Sequence, residues 1–313
     1  MTWRWEVIVY LWLAGIAGGA YFTAFLADRL SGGKHEEWVR FATYLGVPVA
    51  LLGSLFLVLD LGQQLRAWHL FTGFRLASPM SMGSWILLVW AVVGIALIAL
   101  WFAETFPTGE KGFFSALASL LRPLVPGVNI LGWVAFVLAA LLIAYTGVLL
   151  SASNRALWRG ALPLPALFVA SAISTGIAAL LVIVSTGIGP FLRRLFGEVG
   201  HTTTAEAVAK LAKVDVLVMV IELIVLSGYF IWLRAFSTPD AARAAGLLIS
   251  GSLSPFFWVG VVLTGLLVPL GLEFIALREE TATPVTALLS ALCILFGGLI
   301  LRAVVVFGGQ MIV

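Results

Sequence analysis

Eight separate stretches of this sequence run for about twenty residues or more with few charged side chains, at roughly 7–27, 41–61, 82–103, 127–150, 163–190, 214–235, 253–276 and 286–308. An α-helix rises about 1.5 Å per residue and the hydrocarbon layer of a bilayer is about 30 Å thick, so each stretch is long enough to cross it. Inside that layer every backbone N–H and C=O must be paired within the protein, which leaves helices and closed barrels. A barrel would show segments of about ten residues with alternating polarity, whereas these runs are continuous. The composition agrees: 62% of the 313 residues are hydrophobic and 11% charged, against about 45–50% and about 25% in soluble domains. The expectation is an all-α integral membrane protein of about eight transmembrane helices. It divides naturally into two four-helix bundles, 1–155 and 156–313.

With 313 residues over eight helices, about 39 for each helix and its loop, there is little room for a soluble domain. The polar stretches 104–126 and 191–213 read as loops with space for a short surface helix. Pro163, Pro165 and Pro190 bracket the fifth run, and Pro255 and Pro269 fall inside the seventh, where they are expected to kink it. Only Arg4 precedes the first run and no small-residue cleavage site follows it, so the start of the sequence reads as an uncleaved first helix.

Several functional classes are excluded by composition. The single cysteine, Cys293, holds no disulfide or iron–sulfur cluster, which takes about four thiolates. The three histidines, His35, His69 and His201, fall in loops or at helix ends, so no haem is expected in this protein. No metal-ligand spacing or phosphate loop is present. A net charge of +3, scattered along the sequence, argues against a nucleic-acid partner. An even number of helices puts both termini on one side. Ten Lys and Arg residues (Arg29, Lys34, Arg40, Lys111, Arg122, Arg193, Arg194, Lys210, Lys213, Arg278) flank one membrane face and seven the other, which by the positive-inside rule places both termini outside the cytoplasm.

Polar groups in membrane spans are costly and tend to mark sites. With alternating helix directions, the start of the first run, the end of the second, the start of the third and the end of the fourth share one face. That mouth collects Glu6, Tyr10, Asp60, Gln63, Gln64, Arg66, His69, Ser78, Ser81, Trp85, Tyr145, Ser151, Asn154 and Arg155. The opposite mouth offers chiefly Asp28 and Glu104. Such a polar mouth suits an amphipathic ligand of the quinone class, in which Tyr145, Tyr10 or His69 donates to a carbonyl oxygen and Asp60 or Glu6 moves protons. The competing structural account pairs Asp60 with Arg66 at a helix end and makes Tyr10 and Trp85 interface residues. In the second half, Asp215 and Glu222 lie seven residues apart on one helix face. With Glu273 and Arg302 they read either as a proton path or as buried ion pairs that fix packing. The run boundaries set Glu222 and Arg302 at depths differing by roughly 12 Å, so a third group or water would have to bridge them. Gly15 and Gly19 form a small-xxx-small pattern that predicts a close helix–helix contact.

Six motifs, in order along nearly the whole sequence, resemble the membrane-anchor subunits of the NrfD-type polysulfide reductase family. They are Gly15-Ile-Ala-Gly-Gly-Ala-Tyr-Phe22, Leu59-Asp-Leu-Gly62, Ser78-Pro-Met-Ser-Met-Gly-Ser-Trp85, Tyr145-Thr-Gly-Val-Leu-Leu150, Ser171-Ala-Ile-Ser-Thr-Gly176, and Gly297-Gly-Leu-Ile-Leu-Arg302 through Gly308-Gly-Gln310. The resemblance implies a prokaryotic inner-membrane subunit that binds quinone or menaquinone as an exchangeable substrate. It further implies electron exchange with a docked ferredoxin-like iron–sulfur subunit and, through that, with a molybdopterin-type catalytic subunit. By the same resemblance the site tyrosine falls on Tyr145 and the motif aspartate on Asp60, as the catalytic pair. Tyr10, Glu6, His69, Ser81, Trp85 and Asn154 are the expected quinone-binding residues. The sequence departs from the family where Val7 and Tyr10 stand in place of an asparagine and a histidine. The alternatives are a proton-translocating or transport protein built on Asp215, Glu222 and Glu273, and a structural anchor without quinone chemistry.

Overall fold

The computed structural model describes residues 3–60, 79–107, 112–153, 155, 157–159, 161–186, 188–196, 204–278 and 283–311. Among them are eight helices long and apolar enough to cross a membrane. In order the helices are α1 (Trp5–Leu30), α2 (Glu36–Asp60), α3 (Pro79–Thr105), α4 (Phe113–Leu121), α5 (Val128–Ser151), α6 (Pro163–Ser185), α7 (Ile188–Phe196), α8 (Thr204–Ala235), α9 (Pro239–Ile249), α10 (Val268–Arg278) and α11 (Pro284–Met311). A tight 3-10 segment, Arg122–Gly127, joins α4 to α5, and a wide π-type helix, Phe256–Leu267, runs into α10. The spans are α1, α2, α3, α5, α6, α8, the π segment with α10, and α11. The expected all-α membrane fold is therefore present.

The two most enclosed spans are α1 and α6, whose apolar windows are 83% and 78% buried, against 28% for α8. They lie against each other at the centre of the molecule. Small residues make this possible: a β-carbon on Gly19 would meet the main chain of Ala172, and one on Gly176 would meet the main chain at Gly19 and Ala20. The backbones thus approach closely enough for van der Waals packing to hold them. Around this centre α2, α3 and α5 pack on the α1 side, and α8, the π segment and α11 pack on the α6 side. Trp3 and Gln310 exchange hydrogen bonds at 2.6 Å and 3.0 Å between main chain and side chain, so the start of α1 and the end of α11 share one face.

Four local expectations need correction. The fifth span does not continue to residue 190. It stops at Ser185, where Thr186 turns extended with its hydroxyl on the Val182 carbonyl at 2.7 Å. A separate α7 follows, with Pro190 in its first turn, where a missing N–H costs nothing. The sixth span begins at Thr204 rather than 214. Its extra turns are polar and carry the Glu206–Lys210 ion pair at 2.7 Å. The seventh span is not simply kinked. Pro269 offers no N–H to residue 265, and the preceding twelve residues adopt the wider winding. Finally, α9 lies in what read as a plain loop. Its start is nonetheless visible in Thr238-Pro239-Asp240, a capping hydroxyl accepting from the Ala241 N–H at 3.3 Å, then proline in the first turn.

Candidate functional site

Tyr145 lies on α5 six residues before its end at Ser151, about 9 Å inward along the axis. It is 6% exposed. Its ring rests directly on α3 at Gly83, where any β-carbon would overlap the ring atoms. Tyr10, fully buried on α1, sits with its hydroxyl beside that of Tyr145, although the two do not make a well-aligned hydrogen bond. Across from it α2 brings Gly53 within ordinary van der Waals reach of the Tyr10 ring and main chain. Three helices and α1 therefore converge on two phenol groups. The sequence reading named the phenols and quoted Gly83 within a motif, but it gave no role to Gly83, which clears the space for the Tyr145 ring.

One turn nearer the surface lie the carboxylates. Glu6 precedes Tyr10 by four residues, about 6 Å along α1. Asp60, the last residue of α2, is an electrostatic neighbour of Glu6 and Arg4. The Glu6 Oε2 atom is buried and has no hydrogen-bond partner among the described residues. Tyr145, Tyr10, Glu6 and Asp60 thus gather at one end of the first four spans. Ser81 and Trp85 are on the same end of α3 but two residues either side of Gly83. At about 100° per residue they face away from the Gly83–Tyr145 contact, so they are not part of the same cluster. His69 and Asn154, and the Arg66 expected to pair with Asp60, lie outside the described residues.

The opposite mouth is more polar than the sequence reading allowed. α2 begins at Glu36, within the stretch read as loop, so its charged first turn lies at the helix end. Arg40 bridges Glu36 and Glu104 at 2.8 Å each and lies over the Trp101 ring. Asp28 accepts the His35 main-chain N–H at 3.0 Å. An open cleft of about 270 Å3 here is lined by Tyr21, Phe25, Asp28, Trp101, Glu104 and Asn129.

In the second half the buried polar groups are tied together by serines. Arg302, fully buried, donates from Nη1 to the Ser171 hydroxyl at 3.2 Å and to the Gly298 carbonyl at 2.8 Å, and from Nε to the Leu11 carbonyl at 3.3 Å. Its guanidinium also lies over the Phe168 ring. The expected depth mismatch with Glu222 is bridged by Ser171, which bonds Arg302 and is also an electrostatic neighbour of Glu222, and so stands between the acid and the base. Gly15 proves to have a different role from Gly19: a side chain there would press on the Arg302 Nη2 atom, at 2.7 Å. Ser174 donates to Asp215 at 2.9 Å and Ser290 to Glu273 at 2.6 Å. Ser171 and Ser174 stood in a quoted motif without a role and Ser290 was not singled out, because a serine in an apolar run carries no periodic signal of what it will bond. Among the described residues no group of three or more His, Cys, Asp and Glu side chains is arranged to hold a metal ion.

Comparison with known proteins places this geometry in context. The model of the family described as "Polysulphide reductase, NrfD" matches residues 1–313. The protein is 32% identical over 316 residues to the C subunit of polysulfide reductase from Wolinella succinogenes, an alignment that spans 99% of this protein and 95% of that one. It is 30% identical over 326 residues to protein NrfD of Escherichia coli, spanning 100% and 96%. To a protein NrfD homolog of Haemophilus influenzae it is 29% identical over 324 residues, spanning 100% and 96%.

Proposed function

Since the protein belongs to the NrfD polysulphide reductase family and is a multi-pass membrane subunit of a redox complex, we propose that it binds quinone at the Tyr145–Tyr10 end of its first four spans. The observation that carries this reading is the cluster itself: two buried phenols held side by side between α1, α2, α3 and α5, with two carboxylates one turn nearer the surface. Oxidation of a quinol releases two electrons and two protons, and reduction takes up the same. A head group at this site would receive a hydrogen bond from the Tyr145 hydroxyl, with Tyr10 beside it. Asp60 and Glu6 would carry protons between the head group and water. The apolar tail would remain among the spans. His69 and Asn154 keep their proposed places as further polar contacts at this mouth; Ser81 and Trp85 would touch the tail or lipid rather than the head group.

Electrons leave or enter through a partner. One cysteine cannot furnish the thiolate set of a cluster, so a ferredoxin-like iron–sulfur subunit docked over the Tyr145 end supplies the one-electron carriers. A molybdopterin-type catalytic subunit lies beyond it. The proposed setting is the prokaryotic inner membrane, with both termini and the docking face outside the cytoplasm, and with residues 1–155 as the quinone-binding bundle and 156–313 as its companion. The test is Tyr145→Phe in the assembled complex. Quinol turnover falls about 100-fold, a typical share for a positioned proton donor, while subunit assembly is unchanged. Full turnover in Tyr145→Phe rejects the assignment, and a complex that neither holds quinone nor responds to quinol analogues is a structural anchor.

A further inference from the structure

The second half of the molecule holds a carboxyl pair that the quinone site does not use. Asp215 on α8 is fully buried and Glu273 on α10 is 3% exposed. The two are electrostatic neighbours, on packed elements. Each is fixed in the same way: one oxygen accepts a serine hydroxyl, from Ser174 on α6 at 2.9 Å and from Ser290 on α11 at 2.6 Å. The other oxygen of each, Asp215 Oδ2 and Glu273 Oε2, is buried and without a hydrogen-bond partner among the described residues. A bare carboxylate oxygen in such surroundings is costly, and two adjacent carboxylates cannot both stay ionised there.

Charge balance sharpens the point. Among the described residues, the Asp, Glu, Lys and Arg side chains buried in the second-half spans are Asp215, Glu222, Glu273 and Arg302. The one cation among them, Arg302, is linked through Ser171 to Glu222. The other two acids are left without a countercharge. We propose that Asp215 and Glu273 form a single-proton site: the pair holds one exchangeable proton, carried on one of the two unpartnered oxygens, while Ser174 and Ser290 hold the other oxygen of each acid. A proton needs only two oxygen partners. Ser174 and Ser290 leave only one oxygen of each acid without a partner, far fewer than the about six oxygen ligands a hard metal cation takes.

The placement suits exchange with water on the face opposite Tyr145. Glu273 lies five residues before the end of α10 at Arg278, and Ser290 six residues after the start of α11 at Pro284. From the pair inward, Ser174 and Ser171 are one turn apart on α6, and Ser171 reaches Glu222 and Arg302. The proposal is independent of the quinone reading.

Infrared difference spectroscopy of the full-length protein in lipid, between acidic and alkaline buffer, tests it. The expected result is a carboxylic-acid C=O band at neutral pH that shifts in D2O and is the same in sodium and choline chloride. The Asp215→Asn/Glu273→Gln double variant loses the band, and Glu222→Gln keeps it, because Glu222 has Arg302. Should the double variant fail to fold, Ser174→Ala and Ser290→Ala each remove one hydrogen bond from the pair and shift the band position. A wild-type spectrum without such a band overturns the proposal. So does a band untouched by the double variant or by both serine variants, and so does a band that sodium abolishes, which would make the site one for Na+.

Discussion

At the scale of single residues, the most consequential side chain is the one residue 83 lacks. The Tyr145 ring occupies the space a β-carbon would fill, so Gly83→Ala must push the ring or the helix aside. The expected result is a loss of quinol turnover comparable to that of Tyr145→Phe, with normal assembly, read from the same assay; unchanged turnover would show that the ring position is immaterial. Arg302 makes a different kind of claim. Removing one member of a buried charged pair costs about 3–5 kcal/mol because the other charge is stranded. Arg302→Leu is therefore expected to lower resistance to denaturant in detergent by that order, and adding Glu222→Gln to restore much of it. Strict additivity of the two changes would deny their link through Ser171. His35, outside the spans, is held below its usual proton affinity, first by burial and then by Lys210, and its ring is stacked on Trp38 at 4.0 Å. The nearby Asp28 and Glu206 oppose this and Lys34 adds to it. The folded protein then binds fewer protons at this site than the unfolded one, so stability is full above about pH 6.5 and declines as pH falls below it. His35→Gln is expected to flatten that decline in a melting-temperature series against pH.

At the scale of elements, α1 and α6 carry the fold. Gly19→Val would drive a side chain into the Ala172 main chain. Overpacking of this kind costs about 1–3 kcal/mol, and more where backbone rather than side chain must give way. Reduced yield of the folded protein is the expected readout, with Gly228→Val, where a side chain meets open space, as the comparison. The same elements explain what could be read beforehand. Eight spans were legible because bilayer thickness sets a length that apolar runs either meet or fail. Their ends were not, because polar turns such as Glu36–Arg40 and Thr204–Lys213 continue a helix that hydropathy alone stops. The π winding was hidden as well. Pro269 signals a break, but whether the helix kinks or widens depends on what α11 allows beside it. At the site, the phenols and carboxylates stand out as polar residues in apolar surroundings. Gly83, Ser171, Ser174 and Ser290 do not, since their roles exist only once another helix is against them.

At the scale of the whole molecule, the two halves meet through α1. Its outer third carries Glu6 and Tyr10, and next to Tyr10 the Leu11 carbonyl that accepts from the Arg302 guanidinium. The buried polar groups of the two halves therefore approach each other beside the Tyr10–Leu11 part of α1, on the Tyr145 side of the span. Two mouths of the first bundle compete as ligand sites: the phenol cluster at Tyr145 and the open cleft beside Tyr21 and Trp101. The direct test is a cryo-EM structure of the assembled complex with a quinol analogue bound. The account predicts a head-group oxygen within about 2.7–2.8 Å of the Tyr145 hydroxyl, the usual O–H···O distance, with the partner subunit over that end. A head group lodged at the other mouth, against Trp101 and Glu104, would contradict it.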